Sequence, residues 1–427
     1  GARIYQRSLT FLLIYATKKL FPEARIDVEH SLGKGLYCEI KKTKALSAED
    51  VAAIEEKMRQ IVQADLPIEK KKISLQQAID IFNKEGFEDK VRLYKRCPSA
   101  ELTVYTLGDL TDSLHGYMVT RTGVLQRFAL QFWAPGLVLR FPTAEDPFTI
   151  PPFVEQNKLF EIFRETEKWS EILGFHTVGI LNDRILDQQG PEIIRIAEAL
   201  HEKKIAQIAD IIAARKDELR IILIAGPSSS GKTTFAQRLR IQLLVNGIRP
   251  FPISLDDYFV DRENTPLDET NQPDFEHIEA IDLKLFNEHL LRLINGEEVE
   301  IPKFNFHTGK REYTGHTIKL EDDQMLILEG IHGLNERLTA SIARQQKFKI
   351  YISALTALNV DCHTRIHTTD TRMLRRIIRD HQFRNYSAQE TIRRWPSVRR
   401  GEERNIFHLQ EEADIMFNSP LFTNWLY

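Results

Sequence analysis

The chain has 427 residues, 42% of them hydrophobic and 28% charged, with a formal net charge of −3. That is too long for one ordinary domain and suits two or three, and the balance is that of a folded soluble protein rather than a disordered one. No apolar run nears the ~20 residues that cross a bilayer, and Lys and Arg interleaved with acids argue against a general nucleic-acid binder. Cys38, Cys97 and Cys362 lie far apart, which is no disulfide framework and fits a reducing, cytoplasmic setting. The chain opens on Gly1 rather than Met and closes on Trp425-Leu426-Tyr427, so both natural ends are expected to lie beyond it and a targeting signal stays open.

In chain order, Leu9 to Leu20 reads as a helix, Leu36 to Ile40 as a strand, and Ser47 to Gln63 as a helix capped by Ser47 and Asp50. Further strands are expected near Glu101–Tyr105 and Leu137–Phe141, giving an α+β domain over residues 1–147. Pro142, Pro147, Pro151 and Pro152 mark a boundary, and two helical stretches, about Val154–Leu173 and Glu192–Arg215, make 148–218 a helical connector. From Arg220 the pattern alternates. Ile221–Ala225 is a continuous apolar run, followed by a helix over Thr233–Asn246 and strands at Pro250–Ser254, Met325–Leu328 and Phe348–Ile352. Strand–helix–strand order predicts a doubly wound parallel α/β domain over 219–427. The clusters Lys70-Lys71-Lys72 and Arg393/Arg394/Arg399/Arg400 read as solvated faces.

Between the first of these strands and its helix stands Gly226-Pro227-Ser228-Ser229-Ser230-Gly231-Lys232-Thr233-Thr234, a full G-x-x-x-x-G-K-[ST] match in the strand–loop–helix setting it needs. Its glycines let backbone N–H groups turn toward a phosphate, and the helix start adds partial positive charge. Lys232 then reaches the β/γ-phosphates of ATP, and the Thr233 hydroxyl holds Mg²⁺. Asp256 and Asp257 follow the strand ending at Ser254, where an acid of a parallel sheet faces the crevice and can accept a hydroxyl proton. Glu329 closes a second apolar strand, the place of a carboxylate that approaches Mg²⁺. Arg372, Arg375, Arg376 and Arg379 share one helix side, with Arg384 beyond, and read as a lid over the transferred phosphoryl group.

These residues resemble the uridine kinase and phosphoribulokinase family over 220 to about 390. The motifs are Gly226–Thr234, Ser254–Phe259, Phe275-Glu276-His277 with Ala280 and Asp282, Ile301–Phe306, Glu329-Gly330-Ile331, and Asp370-Thr371-Arg372 with Arg375, Arg376, Arg379 and Asp380. The resemblance implies an ATP- and Mg²⁺-dependent kinase of a small-molecule acceptor, a nucleoside first. It makes Asp256 the general base, selected over Asp257 by alignment, and groups Lys232, Arg376 and Arg379 with it as catalytic residues. Glu276 holds ribose hydroxyls, with Tyr258, His277 and Phe304 on the substrate side and Arg384 on phosphate. Mg²⁺ falls to Thr233, Glu329 and Asp256. Phe304 stands where a base-touching Tyr is usual, the family's base-reading His has no clean counterpart although His307 is near, and Tyr386 replaces one lid arginine. A sugar phosphate or a pantothenate-like alcohol therefore stays open as acceptor. Trp395–Glu402 and Phe407–Asp414 lie past the usual lid motif and read as lid or substrate cover.

Residues 1 to about 147 resemble the editing domain of threonyl-tRNA synthetases through Arg7–Leu13, Leu20-Phe21-Pro22, Gly35–Ile40 and Asp109–His115. That domain supplies three His and one Cys to a metal-type site. Here Arg7, Phe11 and Thr111 replace three of them and only His115 remains, so the expectation is a retained fold without metal chemistry, free to pack, self-associate or bind a partner. An ATP-switched RNA- or protein-binding regulator is the rival from another class. Cys362-His363 with His367 lacks a second ligand pair and reads as ordinary loop. His332 reads as lying near the crevice.

Overall fold

The computed structural model describes residues 1–420 apart from Thr270, Asp322, Ala357 and Asn385, so the closing Trp425-Leu426-Tyr427 lies outside the described residues. In chain order the elements are α1 (Ala2–Leu20), β1 (Arg25–Leu32), β2 (Gly35–Lys41), α2 (Ala48–Gln63), β3 (Ile68–Ser74), α3 (Leu75–Glu85), α4 (Glu88–Tyr94), β4 (Glu101–Leu107), β5 (Leu110–Asp112), β6 (Ala129–Trp133), β7 (Gly136–Arg140), α5 (Asn157–Leu173), α6 (Val178–Leu186) and α7 (Gly190–Ala213). The alternating part follows. It comprises β8 (Ile221–Ala225), α8 (Lys232–Val245), β9 (Arg249–Ser254), α9 (Leu283–Ile294), the short strands β10 (Val299–Glu300), β11 (Lys303–Asn305), β12 (Lys310–Glu312) and β13 (Thr317–Ile318), then β14 (Gln324–Glu329), β15 (Lys347–Ser353), β16 (Asn359–Asp361), β17 (Thr364–Arg365), α10 (Thr368–Phe383), α11 (Ala388–Asn405) and β18 (Ile415–Asn418). Among the described residues no helix is long and apolar enough to cross a membrane.

Two compact units result. The first takes Gly1–Gln156, Ser170–Pro191 and Ala357–Ile366; the second takes Asn157–Trp169, Glu192–Thr356 and His367–Tyr427. The stretch 148–218, expected as a connector, is divided between them. The cause is apolar burial: Ile205, Ile208 and Ile212 of α7 pack into the core of the second unit with Ile222, Ile224 and Phe348. The hairpin β16–β17, which sits in sequence between a strand and a helix of the second unit, belongs to the first.

The first unit is α+β. Its helix α1 is buried at ten successive residues, Ser8 to Thr17, and is apolar around most of its girth. Such a helix lies inside a core. An antiparallel sheet in the order β1-β2-β7-β6 and a second, β3-β4-β5, share that core. The capping box expected at Ser47 forms, with Asp50 returning a bond to the Ser47 N–H, and a second one joins Ser74 and Gln77.

The second unit is doubly wound. Its sheet runs β18-β15-β8-β14-β9, parallel throughout. Ile221 to Ala225 are all fully buried between the two faces, as a central parallel strand requires. The C-terminal ends of β8, β9 and β14 lie side by side, Glu329 pairing in register with Ile224 on one side and Ser254 on the other. That edge is where a crevice forms in such sheets.

Cys362 and His363 form the turn between β16 and β17. Both are buried in the first unit. The Cys362 N–H donates to Asp89 at 2.6 Å, its sulfur accepts from Arg25 at 3.0 Å, and the His363 ring meets Asp112 at 2.6 Å. Fully buried Lys90 lies 3.1 Å from Asp112 and 3.0 Å from Asp361 and donates to the Ser113 carbonyl. Burial works against each charge, yet Asp112 and Asp361 hold the Lys90 ammonium above the usual lysine range, and Lys90 with His363 holds Asp112 below the usual carboxylate range. Removing one member of such a network strands the others in low dielectric. Lys90→Met should therefore cost ~3–5 kcal/mol in urea unfolding of the first unit; a loss under about 1 kcal/mol would show that the carboxylates do not depend on it.

Candidate functional site

The loop from Gly226 to Thr233 is shaped by three positive-φ residues, Gly226 (153°), Ser229 (60°) and Gly231 (91°). A Cβ on Gly226 would stand 2.2 Å from the Ile352 carbonyl oxygen, so only glycine fits there. Helix α8 starts at Lys232, with its first N–H groups at the crevice. The hydroxyls of Ser229 and Ser230 are buried without hydrogen-bond partners among the described residues, and the Lys232 ammonium donates to the Gly226 and Pro227 carbonyls at 3.0 and 3.3 Å. Burial pulls the Lys232 ammonium below the ordinary lysine value, while Glu329 and Asp256 pull it back. Thr234 follows in the first turn of α8, exposed.

Three acids stand at the neighbouring strand ends. Glu329, with its carboxyl raised by burial, accepts from the Thr233 hydroxyl at 3.0 Å. Asp256 lies 3.7 Å from Arg384. Asp257 instead accepts the Phe304 N–H at 3.3 Å and is raised by burial. Geometry thus separates the two: Asp257 braces strand β11, and Asp256 faces the cations.

The arginines of α10 close on the same loop. Arg376 donates to Ser228 Oγ at 2.9 Å and pairs with Asp380 at 3.2 Å. Arg379 pairs with Asp380 at 2.6 Å; burial first, then Arg384, pushes it down to about 10. Glu276 is buried with Arg376 at 4.0 Å, and burial pushes its carboxyl up to about 7. His277 is half-buried and its Nδ1 accepts the Glu279 N–H at 3.2 Å, which places its proton on Nε2 when neutral. Phe304 is buried in a row of rings, 5.6 Å from Phe259 and 5.2 Å from Phe306, over which Arg384 lies at 4.6 Å.

One expectation changes. Tyr258 does not offer its hydroxyl to the crevice: its ring is buried against Phe286 and its hydroxyl meets His289 at 3.2 Å, so it anchors the turn carrying Asp256. His307 is exposed at the β11–β12 turn, its N–H held by Asn305. Sequence reading missed Glu402, whose carboxylate accepts the Ser228 N–H at 3.0 Å. Its local partner Arg399, at 3.4 Å, is an ordinary i,i+3 helix pair, whereas the partners that tie it to the site lie 30 and 174 residues away. His332 is buried, and neither ring nitrogen makes a well-formed hydrogen bond; burial pushes it down to about 4, leaving it neutral.

In the first unit, Arg7 donates to the Tyr117 carbonyl at 2.7 Å, Phe11 is fully buried, Thr111 bonds Thr106 at 3.0 Å, and His115 meets Tyr94 at 3.4 Å. Among the described residues no group of three or more His, Cys, Asp or Glu side chains is placed to hold a metal ion. A cavity of about 400 Å³ lies between α4 and α6, lined by Arg25, Asp89, Arg92, His176, Asp183 and Arg184. Within it Arg92 pairs with Asp183 at 3.1 Å and Arg25 donates to His176 Nε2 at 2.8 Å, and none of the predicted site residues lines it.

The sequence model of the Phosphoribulokinase / Uridine kinase family matches residues 221–420. These residues form a phosphoribulokinase/uridine kinase family domain. Solved structures similar to this kinase-family domain include a possible uridine kinase from Bacillus stearothermophilus, 20% identical, covering 51% of this chain and 98% of that one at a TM-score of 0.35. Another is D-glycerate 3-kinase from Cryptococcus neoformans, 12% identical, covering 49% and 87% at 0.33. The N-terminal region is similar to threonine–tRNA ligases. That of Coxiella burnetii is 36% identical over 131 residues, 30% of this chain and 20% of the ligase. That of Acidithiobacillus ferrooxidans is 33% identical over 132 residues, 31% and 20%. The chain thus spans about a fifth of the length of these ligases.

Glu276 gives a test independent of activity. Its carboxyl is raised from 4.5 to about 7, so the folded state holds a proton that the unfolded state has lost, and stability falls as pH rises through that window. Glu276→Gln removes this term. Relative to the wild type, the variant should gain ~2–3 kcal/mol between pH 4.5 and 8 in denaturant unfolding; a constant difference between the two proteins would refute a buried, raised carboxyl.

Proposed function

We propose that residues 221–420 transfer the γ-phosphoryl group of Mg-ATP to the 5′-hydroxyl of a nucleoside, uridine or cytidine first, giving the monophosphate and ADP in the cytoplasm. The observation that carries this reading is the convergence of Lys232, Asp256 and Glu329 from three neighbouring parallel strands, with Arg384 3.7 Å from Asp256. The triphosphate is held by the N–H groups of Ser229 to Thr234, with the Ser230 N–H leaving the Pro227 carbonyl that it meets at 3.2 Å, and by Lys232, whose present bonds to two loop carbonyls are exchanged for phosphate oxygens. Thr233 and Glu329, 3.0 Å apart, and Asp256 across the crevice are oxygen donors of the hard type that magnesium takes alongside phosphate oxygens and water, so the residues fit that ion. Bound there, it neutralises charge on the β- and γ-phosphates.

Asp256 accepts the acceptor's hydroxyl proton as that oxygen bonds to the γ-phosphorus and the bond to the β-phosphate oxygen breaks. Arg376, Arg379 and Arg384 face the charge that develops and exclude water as the lid closes. Glu276 holds the ribose hydroxyls. The wall of Phe304 and Phe306 suits a flat base. Phe304 has no hydroxyl and His307 is exposed, so the base is held by stacking more than by hydrogen bonds, and both pyrimidines should be accepted. The first unit serves as a packing, self-association or partner module, since the positions of the editing site are filled by Arg7, Phe11 and Thr111.

With uridine and ATP labelled at the γ-phosphate, the wild type should yield labelled monophosphate. Asp256→Asn should lower kcat by ~10²–10⁴ with ATP still bound, the scale of a lost general base. Little change in kcat would remove Asp256 from that role. Lys232→Ala should lose transfer while its circular dichroism stays that of the wild type, and an active Lys232→Ala protein would undo the phosphate-loop assignment.

A further inference from the structure

Helix α11 lies beyond the motifs that define the site, yet two successive residues of it touch both halves of the crevice. At Gly401 the helix passes so close to the acceptor side that an added Cβ would stand 2.5 Å from the Glu276 Cβ. The next residue, Glu402, is fully buried and turns to the phosphate loop. Its Oε1 accepts the Ser228 N–H at 3.0 Å and also bonds Arg372. Arg372 is itself 2% exposed and donates from Nε and Nη2 to the Ser228 carbonyl at 3.1 and 3.0 Å. One buried ion pair therefore engages both backbone polar groups of a single phosphate-loop residue, and Arg376 engages that residue's hydroxyl at 2.9 Å.

The rest of α11 is fastened to the segment leading to Glu276. Ser397 bonds Asp268 at 3.0 Å, Arg400 lies 3.3 Å from the same carboxylate, and Arg404 pairs with Glu269. A Ser387–Glu390 capping box starts the helix, and Trp395 lies 5.4 Å below the Arg372 guanidinium. A loop that wraps a phosphate turns most of its N–H groups to the ligand, and although Ser230 N–H meets the Pro227 carbonyl at 3.2 Å within the loop, contacts from outside must set the loop's orientation.

We propose that Glu402, paired with Arg372, is a positioning residue for phosphoryl transfer: it fixes the strand-side limb of the phosphate loop at Ser228 and ties it, through α11, to the acceptor segment that carries Glu276. Arg372, with Arg399 at 3.4 Å on the other oxygen, cancels the carboxylate's charge, so Glu402 shapes an anion site without competing for it. The pair touches neither the transferred group nor the acceptor. This inference rests on the kinase reading of the site.

The test separates shape from stability. A buried ion pair replaced by apolar groups of similar volume is often close to neutral for folding, so Arg372→Met/Glu402→Met should melt within a few degrees of the wild type. Its affinity for ATP, measured by calorimetry without any acceptor, should fall at least ~10-fold, the scale of one or two lost positioning contacts, and the stabilisation conferred by ATP should shrink with it. A double variant that melts like the wild type and binds ATP within about twofold overturns the proposal. Should that variant fail to fold, Glu402→Gln keeps the shape and an oxygen for the Ser228 N–H but loses the charge-assisted bond. A ~3–10-fold loss of ATP affinity is then expected, and unchanged affinity overturns the proposal equally. Because no acceptor is present, a chain that phosphorylates no nucleoside leaves this test standing, whereas a wild type that binds no ATP overturns both readings.

Discussion

A loop that turns its N–H groups to a phosphate keeps few of them for the protein, here Ser230 N–H on the Pro227 carbonyl at 3.2 Å and Ser228 N–H on Glu402 at 3.0 Å, and the second unit is organised around holding such a loop in place. The strand β8 delivering the loop is buried on both faces, so the loop springs from the most rigid part of the sheet. Gly226 is pressed against the Ile352 carbonyl, and Gly231 starts the helix whose first N–H groups complete the cradle. Two residues of the loop are met from outside it: Ser228 by Arg372, Arg376 and Glu402, and Ser230 by Ser419, whose hydroxyl bonds its carbonyl. Acids and cations then collect at the same edge, because each neighbouring parallel strand ends there.

Much of this was legible because it is local. The phosphate loop, the buried run of Ile221–Ala225 and the acids closing β9 and β14 are each written in a few consecutive residues. The arginine face of α10 follows from spacing alone. What escaped was long-range. Glu402 finds Ser228 across 174 residues, and β18 pairs with β15 from the end of the described chain. Tyr258 sits inside the motif that carries Asp256, yet its ring turns into the core beside Phe286 and His289, a choice made by packing rather than by sequence neighbours.

The first unit shows the reverse relation between fold and chemistry. A buried helix α1 and two antiparallel sheets make its framework, and the positions singled out by the resemblance to the editing domain carry packing and backbone contacts. Arg7 ties a loop carbonyl, Phe11 fills the core and Thr111 bonds a neighbouring strand. The same unit acquires buried charge elsewhere, where Lys90, Asp112, Asp361 and His363 compensate one another. The hairpin that brings Asp361 and His363 comes from sequence between β15 and α10, so the boundary expected from proline punctuation misses it.

The most direct test of the central claim is the mass of the product formed from Mg-ATP with a panel of nucleosides, sugar phosphates and pantothenate. The convergence of Lys232, Asp256, Glu329, Glu276 and the Phe304–Phe306 wall predicts a nucleoside monophosphate formed with one ADP per turnover, for uridine and cytidine alike. ADP released without any phosphorylated nucleoside, or a sugar bisphosphate in its place, would contradict it.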